Sequence, residues 1–520
     1  MNRAFPFFLL VCLFLGQRGI PSFAQSLTTA QAHAARGLEL AHTGNLDQAA
    51  IELRRAVALD PKNADYLADL ATVLAMQRNL KEAEIYFEKA LRLDPDSLAL
   101  RRSLAADQFQ LGEFNSAREN LERILQAQPA DRSSILLLGM TEANLRNYSK
   151  AARLLGSVPD LVAQHPESLA ALARAYYRTG QAPRARETLA TLLAHPHPPE
   201  SVFLGGQMAE EAGDWQTAEK LFDSIRSVYP DPSRLAFHLA HVEYGAGRYA
   251  ASQQLLEELL REGHENARVY ELLGLCRAKE NQLALAQAAL EKAIALAPST
   301  DSYYQDLAMI LWQHGRANTA LALMKDCVQQ IPESFNCYLT KGRIERSQQY
   351  YKDAVASFTQ AARLRPSSAD AEFGRATSLA GLGEVRQAAA AFQKTIRMSP
   401  GDARPYREYA KLLMAEAGAN NALLRAQAAE MLAKSISRDP SNEESHYLLG
   451  QIWLDQGKIQ AALSLLQTAA RLNPQDSRVH YALWRAYRKL GQPDKAATEL
   501  ALYKNLSLNR HPPPPPSPNQ

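Results

Sequence analysis

The chain has 520 residues, 46% of them hydrophobic, and Ala and Leu carry most of that fraction. β-branched residues are sparse, which favours helix over strand, and a formal net charge of +3 gives no support to nucleic-acid binding. Four cysteines are too few for a disulfide framework at this length, so packing is expected to hold the fold.

Residues 1–24 read as a secretory signal peptide. Arg3 is the positive lead, Phe5 to Leu15 is an apolar run, and Ser22-Phe23-Ala24 offers small residues at a cleavage site. The run has about half the roughly 20 residues that span a bilayer. Cys12 follows Val11, where a lipoprotein cysteine wants a small residue. No later segment is apolar enough to cross a membrane, so no stable insertion is expected after cleavage. Removal of Arg3 and Arg18, the leader's only charges, leaves +1 (3 − 2) and a mature chain beginning at Gln25. Three cysteines remain: Cys276, Cys327 and Cys337.

After a short lead at 25–29, prolines set a period. Pro61, Pro95 and Pro129 are 34 residues apart, as are Pro298, Pro332, Pro366 and Pro400, and again Pro440 and Pro474. Within residues 64–97, Leu67, Leu70, Ala71 and Leu74 make one helix face, Ala83, Phe87 and Ala90 a second, and Pro95 ends the unit. Counting on this phase gives fourteen repeats, beginning at 30, 64, 98, 132, 166, 199, 233, 267, 301, 335, 369, 403, 443 and 477. Position 20 is Ala in all of them except Ser252 in the seventh. A small residue there lets neighbouring helices approach closely. Position 15 is Gly in nine repeats and Asn281 in the eighth, as expected of a left-handed residue closing the first helix.

This pattern resembles the tetratricopeptide repeat family over residues 30–510, in the form found in extracytoplasmic bacterial proteins. The resemblance implies an all-α, right-handed superhelical solenoid of helix-turn-helix units, with first helices lining the concave face. It weakens at 132–198, where the closing proline is lost, in repeat seven, where His264 replaces it, and at 415–424, where about six residues are added around Gly418. Those stretches read as drift and a longer loop, or as hinges. The tail at 511–520 is expected to be a polyproline II extension.

Family ligands meet positions 2, 5, 9 and 12 of the first helices. In the central repeats these positions include Arg174, Tyr177, Phe203, Gln207, Arg234, Phe237, His241, Tyr244, Arg268, Gln305 and Trp312. Flat rings beside arginines suit an extended peptide or a sugar chain. Further on, Arg343, Arg346, Arg407 and Lys411 make the face basic, either for an anionic partner or as a solvated surface. No repeat has the Lys and Asn pair of the co-chaperone carboxylate clamp. His238 and His241 have metal spacing but no convincing third ligand, and no phosphate loop, nucleophile elbow or His-Glu-x-x-His sequence occurs. Neither a metal nor a cofactor is expected. Cys327 and Cys337 flank one inter-repeat turn and could bridge in an oxidising compartment. The expectation is a non-catalytic envelope or secreted scaffold for a protein or peptide; the alternative is a carbohydrate-binding or polysaccharide-export accessory protein.

Overall fold

The structure, a computed structural model, describes residues 29–194, 197–418 and 421–510. The expected leader, residues 25–28 and the proline-rich tail lie outside these. Among the described residues the fold is all-α, with 29 helices packed as successive antiparallel pairs. The second repeat shows how the sequence produces them. Asn63 caps the first helix (Ala64–Met76) by accepting from the Asp65 and Tyr66 amides. Leu67, Leu70, Ala71 and Leu74 are buried on one face. The second helix (Leu80–Leu93) buries Ala83, Phe87 and Ala90 and stops before Pro95, which cannot continue it.

Close approach within each pair depends on small residues. All fourteen position-20 side chains are at most 4% exposed. Ser252 keeps the pattern because its hydroxyl donates to the Ala240 carbonyl at 2.7 Å. Across from position 20, position 8 is often glycine. A Cβ on Gly37 would lie 2.6 Å from Leu53, and one on Gly206 2.4 Å from Phe222, both large residues at position 24. Those contacts leave no room for a methyl group.

The turn between paired helices requires a left-handed residue. The nine position-15 glycines have positive φ, and so does Asn281. Arg78, Arg146 and Gln349 occupy the same place with φ of 62–64°, despite their side chains. Pairing geometry overrides a preference of about 1–2 kcal/mol there.

The chain divides into two halves, residues 1–264 and 265–520. The division falls where His264 takes the closing proline's place. At 132–198 the irregularity is a broken helix. The second helix of repeat four stops at Gly156 after nine residues (Tyr148–Gly156), and a short helix (Pro159–Gln164) completes the repeat. Val158 and Val162 are buried, so this segment is packed and is not an open loop. At 415–424 a longer loop was expected, but helix takes up most of the insertion. Repeat twelve has helices of 15 and 17 residues (Ala403–Ala417, Ala422–Arg438), against 13 and 14 in repeat two. The last helix (Pro493–Arg510) runs on past Lys504.

In the C-terminal half, Cys327 and Cys337 form a disulfide with Cα atoms 5.9 Å apart, tying the second helix of repeat nine (Ala317–Gln330) to the first of repeat ten (Phe335–Ser347). Cys276 is buried. Alkylation of unfolded, non-reduced protein is therefore expected to label Cys276 and spare the other two; labelling of all three contradicts the bridge. Replacing Cys337 by Ser should cost about 2–3 kcal/mol in unfolding experiments.

Candidate binding face

In the N-terminal half, the first helices of repeats five (Pro166–Arg178), six (Pro199–Glu211) and seven (Pro232–Gly245) bring most of the expected residues together. The organising group stands at contact position 12 of repeat six, but it anchors two histidines instead of meeting a ligand. Glu210 is 8% exposed. Its two oxygens meet His238 Nδ1 at 2.7 Å and His241 Nδ1 at 2.6 Å. Burial pushes the Glu210 carboxyl up, but the two histidine hydrogen bonds outweigh it and hold the group below its ordinary value. With Nδ1 donating to the carboxylate, each ring turns Nε2 away from it. That of His238 lies 3.4 Å from Gln207 Nε2, and the His241 side chain is 43% exposed. The partner missing beside the two histidines in sequence lies about one repeat earlier.

Asp214 does the same for Tyr177. It accepts from the Tyr177 hydroxyl at 2.9 Å and from Arg186 Nε at 2.7 Å. Burial raises the Asp214 carboxyl, but its donors bring it below its ordinary value. Burial and then Asp214 push the Tyr177 phenol up, so it stays a donor. The Arg174 Nε donates to Met208 Sδ at 3.1 Å.

Phe203 corrects an expectation. At 1% exposure it offers no surface to a ligand. Its ring stacks on Tyr229 at 4.6 Å, meets His238 edge-on at 5.0 Å and lies beneath the Arg234 guanidinium at 4.4 Å. The first helix of repeat six turns position 5 inward, where an apolar ring fills the core. Arg234 is exposed and bonds the Tyr229 hydroxyl at 3.2 Å, while that hydroxyl donates to Glu200 at 2.9 Å. Phe237 and Tyr244 are part-exposed, and Tyr244 lies 5.5 Å from the Tyr249 ring.

The remaining expected residues belong to the C-terminal half. Arg268 is exposed; Gln305 bonds Thr340 at 3.2 Å; Trp312 is part-buried against its repeat's core. Three of the four basic positions are paired with acids of the chain. Arg343 pairs with Asp370 at 3.8 Å, and Arg407 and Lys411 both pair with Glu408 and Glu444 at 3.0–3.3 Å. Arg346 bonds Thr377, and burial lowers its guanidinium's affinity for its proton. An anionic partner meets little free positive charge at Arg343, Arg407 and Lys411. Among the described residues, no three His, Cys, Asp or Glu groups are placed to hold a metal ion, and no helix is long and apolar enough to cross a membrane.

Replacing Glu210 by Ala should lower stability by about 2–3 kcal/mol and release the His238 and His241 rings, seen as loss of their protected Nδ1–H resonances. Because the native carboxyl sits below its ordinary value of 4.5, its contribution is present above that pH and lost as pH falls through the native value. The cost of Glu210→Gln should therefore shrink below pH 4.5. A cost independent of pH contradicts the assignment.

Residues 46–275 match the family described as tetratricopeptide repeat protein 21 second ARM domain. Residues 267–300, 339–403, 425–483 and 454–507 match tetratricopeptide repeat families. No curated protein matches the chain. Solved structures with a similar arrangement include yeast Tom70 (16% identity, 93% of this chain and 97% of that one, TM-score 0.40). Others are the APC/C hetero-tetramer Cut9-Hcn1 (15%, 93% and 94%, 0.38) and YrrB, described as a TPR protein with an unusual peptide-binding site (20%, 38% and 98%, 0.31). Repeat phase, helix pairing and these family matches agree: the chain is a tetratricopeptide-repeat protein.

Proposed function

We propose that the chain is a non-catalytic interaction scaffold that holds an extended protein or peptide segment against the first helices of repeats five to seven. One observation carries this reading: Arg174, Gln207, His241 and Tyr244 are part-exposed on adjacent helices, and Glu210 fixes His241 from below. Side chains oriented before binding lose less freedom when a ligand arrives. Donors and acceptors at successive repeats suit a chain with polar groups at regular intervals.

A glycan is the less favoured ligand. Phe203 is withdrawn into the core, and Tyr177 has its hydroxyl committed to Asp214. In this half, Phe237 and Tyr244 are the rings left of the expected aromatic wall.

The scaffold is further proposed to work outside the cytoplasm, in a periplasm or secreted space. The signal-like residues 1–24 support this, and a Cys327–Cys337 bridge suits an oxidising compartment. A photoreactive residue at position 244, crosslinked in cells and analysed by mass spectrometry, is expected to capture one or two defined proteins. Adducts bearing only saccharide, or none without added glycan, would overturn the protein-ligand reading.

A further inference from the structure

Six acids are buried among the described residues: Asp107, Glu142, Glu210, Glu345, Glu372 and Asp476. Five have a basic or histidine partner. Glu142 takes Lys150 at 2.7 Å, Glu210 its two histidines, Glu345 Lys341 at 2.6 Å, Glu372 Lys394 at 3.0 Å, and Asp476 Arg478 at 2.7 Å. Asp107 is the exception. It is 2% exposed, and neither carboxylate oxygen has a hydrogen-bond partner. An unpaired carboxylate at such depth is costly, and packing alone gives no reason to keep it.

Asp107 does not face packed apolar atoms alone. It lines a cavity of about 80 Å³ between the first helices of repeats two (Ala64–Met76), three (Leu98–Leu111) and four (Arg132–Asn144). Thr72, Arg102, Ser103, Gln110 and Ser133 also line it, and all five are part-exposed, so the cavity reaches the first-helix surface. The nearest cations are committed elsewhere. Arg102 pairs with Asp131 at 2.5 Å, and Lys81 pairs with Glu113 and Glu84. Glu84 and Glu113 add negative charge to the surroundings of Asp107. Burial first, then these two carboxylates, push the Asp107 carboxyl up to about 7, with Lys81 opposing.

We propose that this pocket is a binding subsite for an alkylammonium or guanidinium head group, supplied by a lysine or arginine side chain of a segment lying along the first helices. A cation there would give both carboxylate oxygens their missing partner, while the Thr72, Ser103 and Ser133 hydroxyls and Gln110 offer further acceptors. The volume fits the end of one side chain; a water's share of bulk liquid is roughly 30 Å³. That the head group binds here stands on Asp107 and its cavity. That it arrives on a peptide rests on the scaffold reading above.

The test uses the full chain and calorimetric titration with three probes: an acetylated, amidated Gly-Ala-Lys-Ala-Gly peptide, the same peptide with norleucine for lysine, and spermidine. The lysine peptide is expected to bind at least about tenfold more tightly than the norleucine peptide, roughly the 1.4 kcal/mol of a single charge-assisted contact. Asp107→Asn should erase that difference, and so should Ala106→Leu, which fills the pocket without touching the charge. Spermidine binding that depends on Asp107 and matches or exceeds the lysine peptide's would keep the cation subsite and overturn its peptide origin. A lysine preference that is absent, or that survives Asp107→Asn, overturns the proposal, and a water-filled cavity gives that result. Loss of crosslinking at position 244 with the lysine preference intact would instead count against the scaffold reading at repeats five to seven.

Asp107→Asn should fold. With the native carboxyl raised from 3.8 to about 7, the folded state binds its proton more tightly than the unfolded chain, so stability is lost as pH rises through that window. The variant's melting temperature should exceed that of the parent at pH 8, and the gap should narrow towards pH 4. An equal or lower melting temperature at pH 8 contradicts a buried, unpaired carboxylate.

Discussion

Close contact between paired helices is the constraint on which the rest of the structure depends. A small side chain at position 20 and a small one at position 8 let two helices meet with almost no intervening volume. Gly206 and Phe222 show the limit, since an added Cβ would sit 2.4 Å from the ring. One pair cannot bury its own apolar stripe, so the next pair must cover it, and stacking follows. The same rigidity fixes the turn between helices, where even Arg78, Arg146 and Gln349 adopt a left-handed backbone.

Tight stacking also decides how polar groups are used. A carboxylate turned inward has little water to meet, so it must find a donor on the chain, either nearby, as Glu345 finds Lys341, or about a repeat away. Glu210 finds His238 and His241 from the next repeat, and Asp214 finds Tyr177 from the one before. These acids give the first-helix side fixed donors and acceptors. Asp107 obeys the same geometry without a partner, and its cavity opens on the same side of the first helices.

Much of this fold was legible in the sequence, because its determinants are local and periodic. Prolines, position-20 alanines and position-15 glycines placed helix after helix within a residue or two. The insertion in repeat twelve was legible as length but not as helix, since the added residues, Ala422 to Arg425 among them, are as compatible with helix as with loop. The site was less legible. Phe203 and Tyr244 sit at family contact positions in their repeats, yet one is buried and the other part-exposed, because neighbouring rings decide which way each helix face turns. Glu210 was invisible as the anchor of His238 because its partners lie 28 and 31 residues on. Stepping back one 34-residue period from His241 lands on Gln207, one helical turn short of Glu210. Asp107 carried a signal of its own: it lies three residues after buried Leu104 and beside buried Gln108, an acid within the inward stripe.

The account's central claim is that the first-helix side of the N-terminal half is a built receptor surface. A crystal structure of the full chain, soaked with a lysine-containing peptide selected for binding, addresses it most directly. The account predicts peptide density along the first helices, with the basic head group within hydrogen-bond distance of Asp107. A peptide lying on the second helices, or a lysine pointing to solvent with Asp107 unchanged, would contradict it.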